Sequence, residues 1–333
     1  MITGRGGSVD LVGSETTVPE TAVEPLLLSP DGPSVVAIGG GHGLSAALEA
    51  VQLYAGKVTA VVSVADDGGS SGRLIQGMRI PAPGDIRRCL LALTPEPTLI
   101  SELFAHRFSS GDVMDHSLGN LMLAALTDLF GDFETAVSAA GRMLGAVGEV
   151  IPATTAPVAL RARIDGEIVE GQVSIGKSRG QIEMIELTPE DTSPNLRALE
   201  AVAGADQIVI GPGSLFTSLI AALLVPDLAK VVMASSARRV FVCNLITQDG
   251  ETWGMDGEAH IQALQKWGGI DGPGTVVVHD GPLRVPPGHS RIDFDGPMVG
   301  SWGIRRADVA DPTAEWPAHD PFALAQVVES RLA

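Results

Sequence analysis

The chain has 333 residues, 45 % of them apolar, so it can bury one large α/β core or two small ones and is neither disordered nor fibrous over most of its length. Its 22 Lys plus Arg face 40 Asp plus Glu, a formal net charge of −18 that repels nucleic acids and anionic lipid, and a single Tyr with eight Phe offers no base-stacking platform. Two cysteines, Cys89 and Cys243, lie in apolar runs and read as free thiols of a reducing compartment, too few for a disulfide framework or a cysteine zinc site.

Residues 1–33 are rich in Gly, Ser, Thr, Pro and Glu without periodicity and read as a disordered leader, and 34–333 as a single α/β domain. No signal peptide is legible and no apolar run reaches the roughly eighteen residues of a membrane span, so the expected location is the cytoplasm, with no integral membrane contact. Val35–Ile38 predicts a short buried strand, the glycines that follow a turn, and Leu44, Leu48 and Val51 one face of a helix. A second strand, Val58–Val64, completes a right-handed βαβ crossover and runs into Ala65-Asp66-Asp67-Gly68-Gly69-Ser70-Ser71-Gly72. After Pro81-Ala82-Pro83-Gly84, Asp85 reads as the N-cap of a helix through Leu93, with further helices over about 97–108, 118–130 and 133–147. Period-two segments around Asp165-Gly166 predict a small β insertion over about 150–188. The α/β alternation then resumes: strand Gln207–Ile210, a turn, a helix from Leu215, strand Val240–Cys243, helix 256–267, strand Thr275–Val278 and a last helix over 321–332. This rhythm predicts a three-layer Rossmann-like α/β fold with a mostly parallel sheet.

In such sheets ligands sit beyond the carboxyl ends of the strands, and the unusual polar clusters fall there. Gly39, Gly40, Gly41 and Gly43, with His42 and Leu44 among them, give a turn whose N–H groups can cradle phosphate, although G-x-G-x-x-L lacks the third glycine of the dinucleotide fingerprint. Asp66 and Asp67 suit ribose hydroxyls or Mg²⁺, while Gly68, Gly69, Ser70 and Arg73 suit phosphate. Asp85 and Arg87 sit at a helix start, Asn120 at another, and Gly211-Pro212-Gly213-Ser214 forms a second strand-to-helix anion site. A ligand-free turn, a solvated loop, a plain N-cap and a backbone-satisfied Asn are the competing structural readings. The chain has no G-x-S-x-G elbow, no P-loop and no H-x-x-x-H pair, which sets aside serine hydrolysis, P-loop chemistry and zinc hydrolysis.

Taken together, Ile38-Gly39-Gly40-Gly41-His42-Gly43-Leu44-Ser45, Val64-Ala65-Asp66-Asp67-Gly68-Gly69-Ser70-Ser71-Gly72-Arg73, Pro83-Gly84-Asp85-Ile86-Arg87, His116-Ser117-Leu118-Gly119-Asn120 and Gly211-Pro212-Gly213-Ser214-Leu215 resemble the YvcK family of gluconeogenesis factors. That family lies within the 2-phospho-L-lactate transferase (CofD-like) superfamily. The resemblance runs over about 34–330 and departs from the family pattern at His42, Arg88, Phe216 and Ala221-Ala222. It implies binding of UDP-sugars such as UDP-N-acetylglucosamine, with roles in growth on gluconeogenic carbon, cell shape and peptidoglycan precursor supply. A Ser/Thr protein kinase and a homodimer are the partners it implies, and no cofactor is required.

Two functions therefore compete. In the first the protein is a regulatory nucleotide-sugar binder, with Gly39–Gly43 and Gly211–Ser214 on the diphosphate and Asp66 and Asp67 on hydroxyls. In the second it is a Mg²⁺-dependent transferase of phospholactate type, with the metal on Asp66 or Asp67 and charge stabilisation from Arg73 and Arg87. NAD is expected to fit the same crevice, because it shares the pyrophosphate; a dehydrogenase is disfavoured by the incomplete fingerprint and the lack of a hydride-transfer partner.

Overall fold

The computed structural model describes residues 28–68, 72 and 77–330. In chain order the strands and helices begin with β1 (Ser34–Gly39), α1 (Gly41–Gln52), β2 (Lys57–Val62), α2 (Pro83–Ala92), α3 (Leu99–Ala105), α4 (Leu118–Phe130), α5 (Phe133–Leu144) and β3 (Glu149–Pro152). They continue with β4 (Ala159–Ile164), β5 (Glu167–Glu170), α6 (Gln172–Lys177), β6 (Ile182–Thr188), α7 (Leu196–Ala203), β7 (Gln207–Ile210) and α8 (Leu215–Leu223). The last third holds α9 (Leu228–Ala234), β8 (Arg238–Val242), α10 (Gly257–Gly268), β9 (Gly274–His279), β10 (Met298–Val299), β11 (Trp302–Ala307) and α11 (Pro321–Glu329).

Eight strands form one sheet in the order β10-β11-β9-β8-β7-β1-β2-β3, parallel throughout except where β10 meets β11. Val35, Val36, Ala37 and Ile38 of central β1 are sealed on both faces, as expected of a parallel strand covered by helices on either side. This is the three-layer Rossmann-like arrangement anticipated from the alternation. The chain leaves β1 for β2 on one side and returns through β7 on the other, so β1 and β7, paired Ile38 to Ile210, mark the point where strand order reverses.

Several expected boundaries shift. Residues 28–33, assigned by composition to the leader, bond to the turn after α1, Ser29 N–H to Ala55 O and Gly56 N–H to Pro33 O, both at 2.9 Å. Residues 1–27 lie outside the described residues. The β insertion is narrower than 150–188: Glu149–Pro152 is an edge strand of the main sheet, pairing with β2, because Val150 and Ile151 are apolar enough to be buried there. Only β5-β4-β6 form the separate antiparallel sheet, joined at Asp165-Gly166 with both residues at positive φ. Asp85 is not the N-cap of α2; Ala82 is, and Pro83 takes the first turn, where a missing N–H costs nothing. Strand β11, which lies between β10 and β9, escaped the sequence reading because Trp302-Gly303-Ile304-Arg305-Arg306-Ala307 does not alternate; its Arg306 bonds the carbonyl of Phe294.

No single helix among the described residues is long and apolar enough to cross a membrane. One bent pair, α8 with α9, has the length and composition, and its Leu215, Leu219 and Ile220 are sealed in the core.

Candidate functional site

A cleft of about 540 Å³ opens where β1 and β7 end, the position at which a parallel α/β sheet places its ligand. Gly41, His42 and Gly43 from the start of α1 form its floor, with Asp66 beyond β2 and Asp85 and Arg88 from α2 on one side. Pro212, Gly213 and Ser214 face them from the β7 turn, and Gln172 reaches in from the insertion.

The first turn is open to a ligand. Helix α1 begins without a side-chain cap, since its N-cap is Gly40; the Asp85 carboxyl sits at Gly40 and Gly41, and the N–H groups of His42 and Gly43 have neither an intrahelical acceptor nor a capping oxygen. Gly43 carries the closest approach: a Cβ there would lie 2.6 Å from Pro212 O and 2.7 Å from Gly213 N, so only glycine lets the two turns meet. Beside them the carboxyl of Asp85, 3 % exposed, faces the Gly41 N–H and pairs with Arg88 Nη1 at 2.5 Å. Burial raises its carboxyl above the usual range, against the pull of Arg88, and the nearby Asp66 adds to the rise. His42 is driven the other way: burial first, then Arg88 and Arg87, hold its imidazole below its ordinary value and therefore neutral at pH 7.

The second turn differs from expectation. Helix α8 opens with a π-helical stretch, Leu215–Ile220, and its first N–H groups are already taken. Glu251 Oε2 accepts Thr217 N–H at 3.1 Å, and the Leu215 and Phe216 N–H groups face the same carboxylate. Gly213 N–H goes to Asn244 Oδ1 at 3.0 Å, and Asn244 Nδ2 returns a bond to Gly213 O at 2.8 Å. The Gly211-Pro212-Gly213-Ser214 turn thus shapes the cleft wall, while an internal carboxylate occupies the anion position at its helix start. Burial pushes Glu251 up to about 7.

The remaining sequence candidates divide. Asp66 lines the cleft and its Oδ1 accepts Gly68 N–H at 2.9 Å. Asp67 does not: its Oδ1 accepts Val173 N–H at 3.0 Å and caps α6 of the insertion from outside. Leu44 is fully buried under the sheet, and Gly39, Gly40 and Gly211 shape backbone behind the lining. Arg87 and Asn120 are buried against each other, Nε to Oδ1 at 3.1 Å, off the cleft wall. Gly69, Ser70 and Arg73 lie outside the described residues.

Sequence reasoning missed the far wall. Asn244 and Gln248 follow β8, and Gln248 Nε2 donates to Ser214 Oγ at 2.8 Å. A polar residue directly after the apolar Val240–Cys243 run was the available signal for Asn244. Trp316, Pro317, Ala318 and His319 complete the wall from just before α11, with no local pattern to announce them. The Trp316 ring stands edge-on to His289 at 5.2 Å, and burial brings His319 down to about 4, so it is a neutral imidazole.

Residues 35–288 match the family model of 2-phospho-L-lactate transferase CofD. The gluconeogenesis factor of Halalkalibacterium halodurans is 44 % identical over 252 residues, 75 % of this chain and 78 % of that protein. The gluconeogenesis factor of Bacillus subtilis is 43 % identical over 249 residues, 74 % of this chain and 78 % of that protein. A crystal structure of a Bacillus halodurans protein superposes with a TM-score of 0.85 at 37 % identity, covering 89 % of this chain and 99 % of that one. The matched family region includes Asn244 and Gln248 but stops before Trp316–His319, so that part of the far wall lies beyond it.

Proposed function

The chain belongs to the family of 2-phospho-L-lactate transferase CofD, in the branch whose curated members are named gluconeogenesis factors, and on that premise we propose that its cleft binds a UDP-sugar of the UDP-N-acetylglucosamine type. The observation that carries the reading is the start of α1 at the strand-order reversal, where the N–H groups of His42 and Gly43, beyond the Gly41 N–H that faces Asp85, remain for a diphosphate. Neutral His42 adds a hydrogen bond without competing charge, and Asp66 accepts sugar or ribose hydroxyls. The apolar Leu245, Ile246 and Trp316, with Gln248 among them, suit the flat and polar ends of such a ligand.

Roles in carbon-source use, cell shape and peptidoglycan precursor supply belong to this proposal, as do a homodimer and regulation by a Ser/Thr protein kinase; the gluconeogenesis-factor name of the relatives supports the first and the family resemblance the others. NAD is a second ligand to test, since its pyrophosphate meets the same N–H groups. A transferase reading is favoured by one observation, the two carboxylates Asp66 and Asp85 on the same cleft, which with ligand phosphates suit Mg²⁺. Bound there, the ion would screen charge on the phosphates.

Calorimetric titration with UDP-N-acetylglucosamine, NAD and GDP, each with and without Mg²⁺, tests both. Saturable UDP-sugar binding, stable on standing and weakened in Asp66→Ala, is expected. Turnover that appears only with Mg²⁺ favours the transferase, and absence of UDP-sugar binding overturns the proposal.

A further inference from the structure

Arg87 is 7 % exposed, and a buried guanidinium keeps its charge, so a stable arrangement calls for an anion beside it. Among the described residues none is bonded to it. Its Nε donates to Asn120 Oδ1 at 3.1 Å, and its two terminal nitrogens have no acceptor among the described residues. Neither nitrogen is a sealed orphan of the kind found at Trp302 Nε1 or His319 Nε2, which are buried without a hydrogen bond. Asp85, the acid whose field reaches Arg87, is already bonded to Arg88, while Arg88 and Arg107 oppose its charge. Burial, then these two arginines, bring Arg87 down to about 10.

Fixed at Nε with both terminal N–H pairs free, the guanidinium presents the fork that bonds an oxyanion bidentately. The surplus of three arginines over one engaged acid favours two negative charges over one, hence phosphate over carboxylate. His42 feels both Arg88 and Arg87, which places the fork next to the nucleotide cleft, yet Arg87 is not part of the cleft wall. We propose that Arg87, held by Asn120 and flanked by Arg88 and Arg107, forms a subsite for a second ligand, a dianionic oxyanion of the phosphate class bound beside the nucleotide. The subsite stands independently of which nucleotide occupies the cleft.

The test follows thermal stability and calorimetry of the full chain with inorganic phosphate, using acetate at matched ionic strength as the control. Phosphate is expected to bind saturably and acetate not, and UDP-N-acetylglucosamine affinity in saturating phosphate is expected to stay within about threefold of its value without it. Arg87→Lys keeps the charge and loses the fork, so phosphate binding should weaken by about tenfold, and Arg87→Met should abolish it. Absence of saturable phosphate binding, equal binding of acetate, full competition between phosphate and the UDP-sugar, or unchanged phosphate affinity in Arg87→Lys overturns the subsite. Should Arg87→Met fail to fold, Arg87→Lys decides. Loss of UDP-sugar binding with phosphate binding still dependent on Arg87 would sink the nucleotide proposal and leave the subsite standing.

Discussion

The carboxylate of Glu251 accepts the backbone N–H of Thr217 at 3.1 Å, which sets an internal anion at the start of α8 where the sequence suggests a ligand's phosphate. Its other oxygen, Oε1, is buried without a partner. Burial raises the group to about 7 against the pull of the N–H donors at the helix start, so near neutral pH it is divided between carboxylate and protonated carboxyl.

That shift fixes the pH dependence. The folded state holds the Glu251 proton up to about 7 and the unfolded chain releases it near 4.5, so the contribution is fully present below 4.5 and is lost as pH rises toward 7. The loss is on the order of 3 kcal/mol. Glu251→Gln keeps an acceptor for Thr217 and removes the titration. Melting curves between pH 4 and 8 should show the wild type losing stability relative to Glu251→Gln across that window, and parallel curves would refute the assignment.

Gly43→Ala should separate the two turns. Its Cβ would meet the Pro212 carbonyl at 2.6 Å, a clash with backbone that no rotamer relieves. We expect a loss of about 1–3 kcal/mol in urea unfolding and at least a tenfold loss of UDP-sugar affinity. Gly176→Ala is the control, because a Cβ there has open space, and it should leave affinity unchanged.

Asp66 and Asp67 are adjacent in sequence and opposite in task. Asp66→Ala should weaken ligand binding with little change in hydrogen exchange over 159–188, since its carboxylate lines the cleft. Asp67→Ala should raise exchange at Val173 and its neighbours, at a cost of about 1 kcal/mol for the lost cap. The reverse pattern would show that the ligand, not the insertion, is held by Asp67.

Asn244 holds both polar groups of Gly213, so Asn244→Ala leaves an N–H and a carbonyl without partners beside the cleft. A destabilisation of about 1–3 kcal/mol is expected. Asn244→Asp keeps the acceptor for Gly213 N–H and should recover part of it; equal losses in the two variants would argue against the paired bonds.

Local pattern alone was enough for β1, α1 and α4. Val35–Ile38 is a short apolar run before glycines, and Ser117, which caps α4 by accepting Asn120 N–H, is a start signal visible in the chain. The Gly39–Gly43 turn was legible for the same reason, because glycine needs no partner to declare its conformational freedom. What was not legible is the allocation of donors and acceptors. Asp67 and Glu251 lie far along the chain from Val173 and Thr217, and no spacing rule links them.

By itself the sequence determined an acidic, parallel α/β protein with a phosphate-suited turn after its first strand, since strands, helices and glycine turns are set by neighbouring residues. The tertiary structure decided which of the two turns stays open, which aspartate faces the cleft, and that Trp316–His319 close its far wall. Those outcomes depend on which buried polar group reaches which partner across the fold, and a buried hydrogen bond leaves no periodic trace in the chain that makes it.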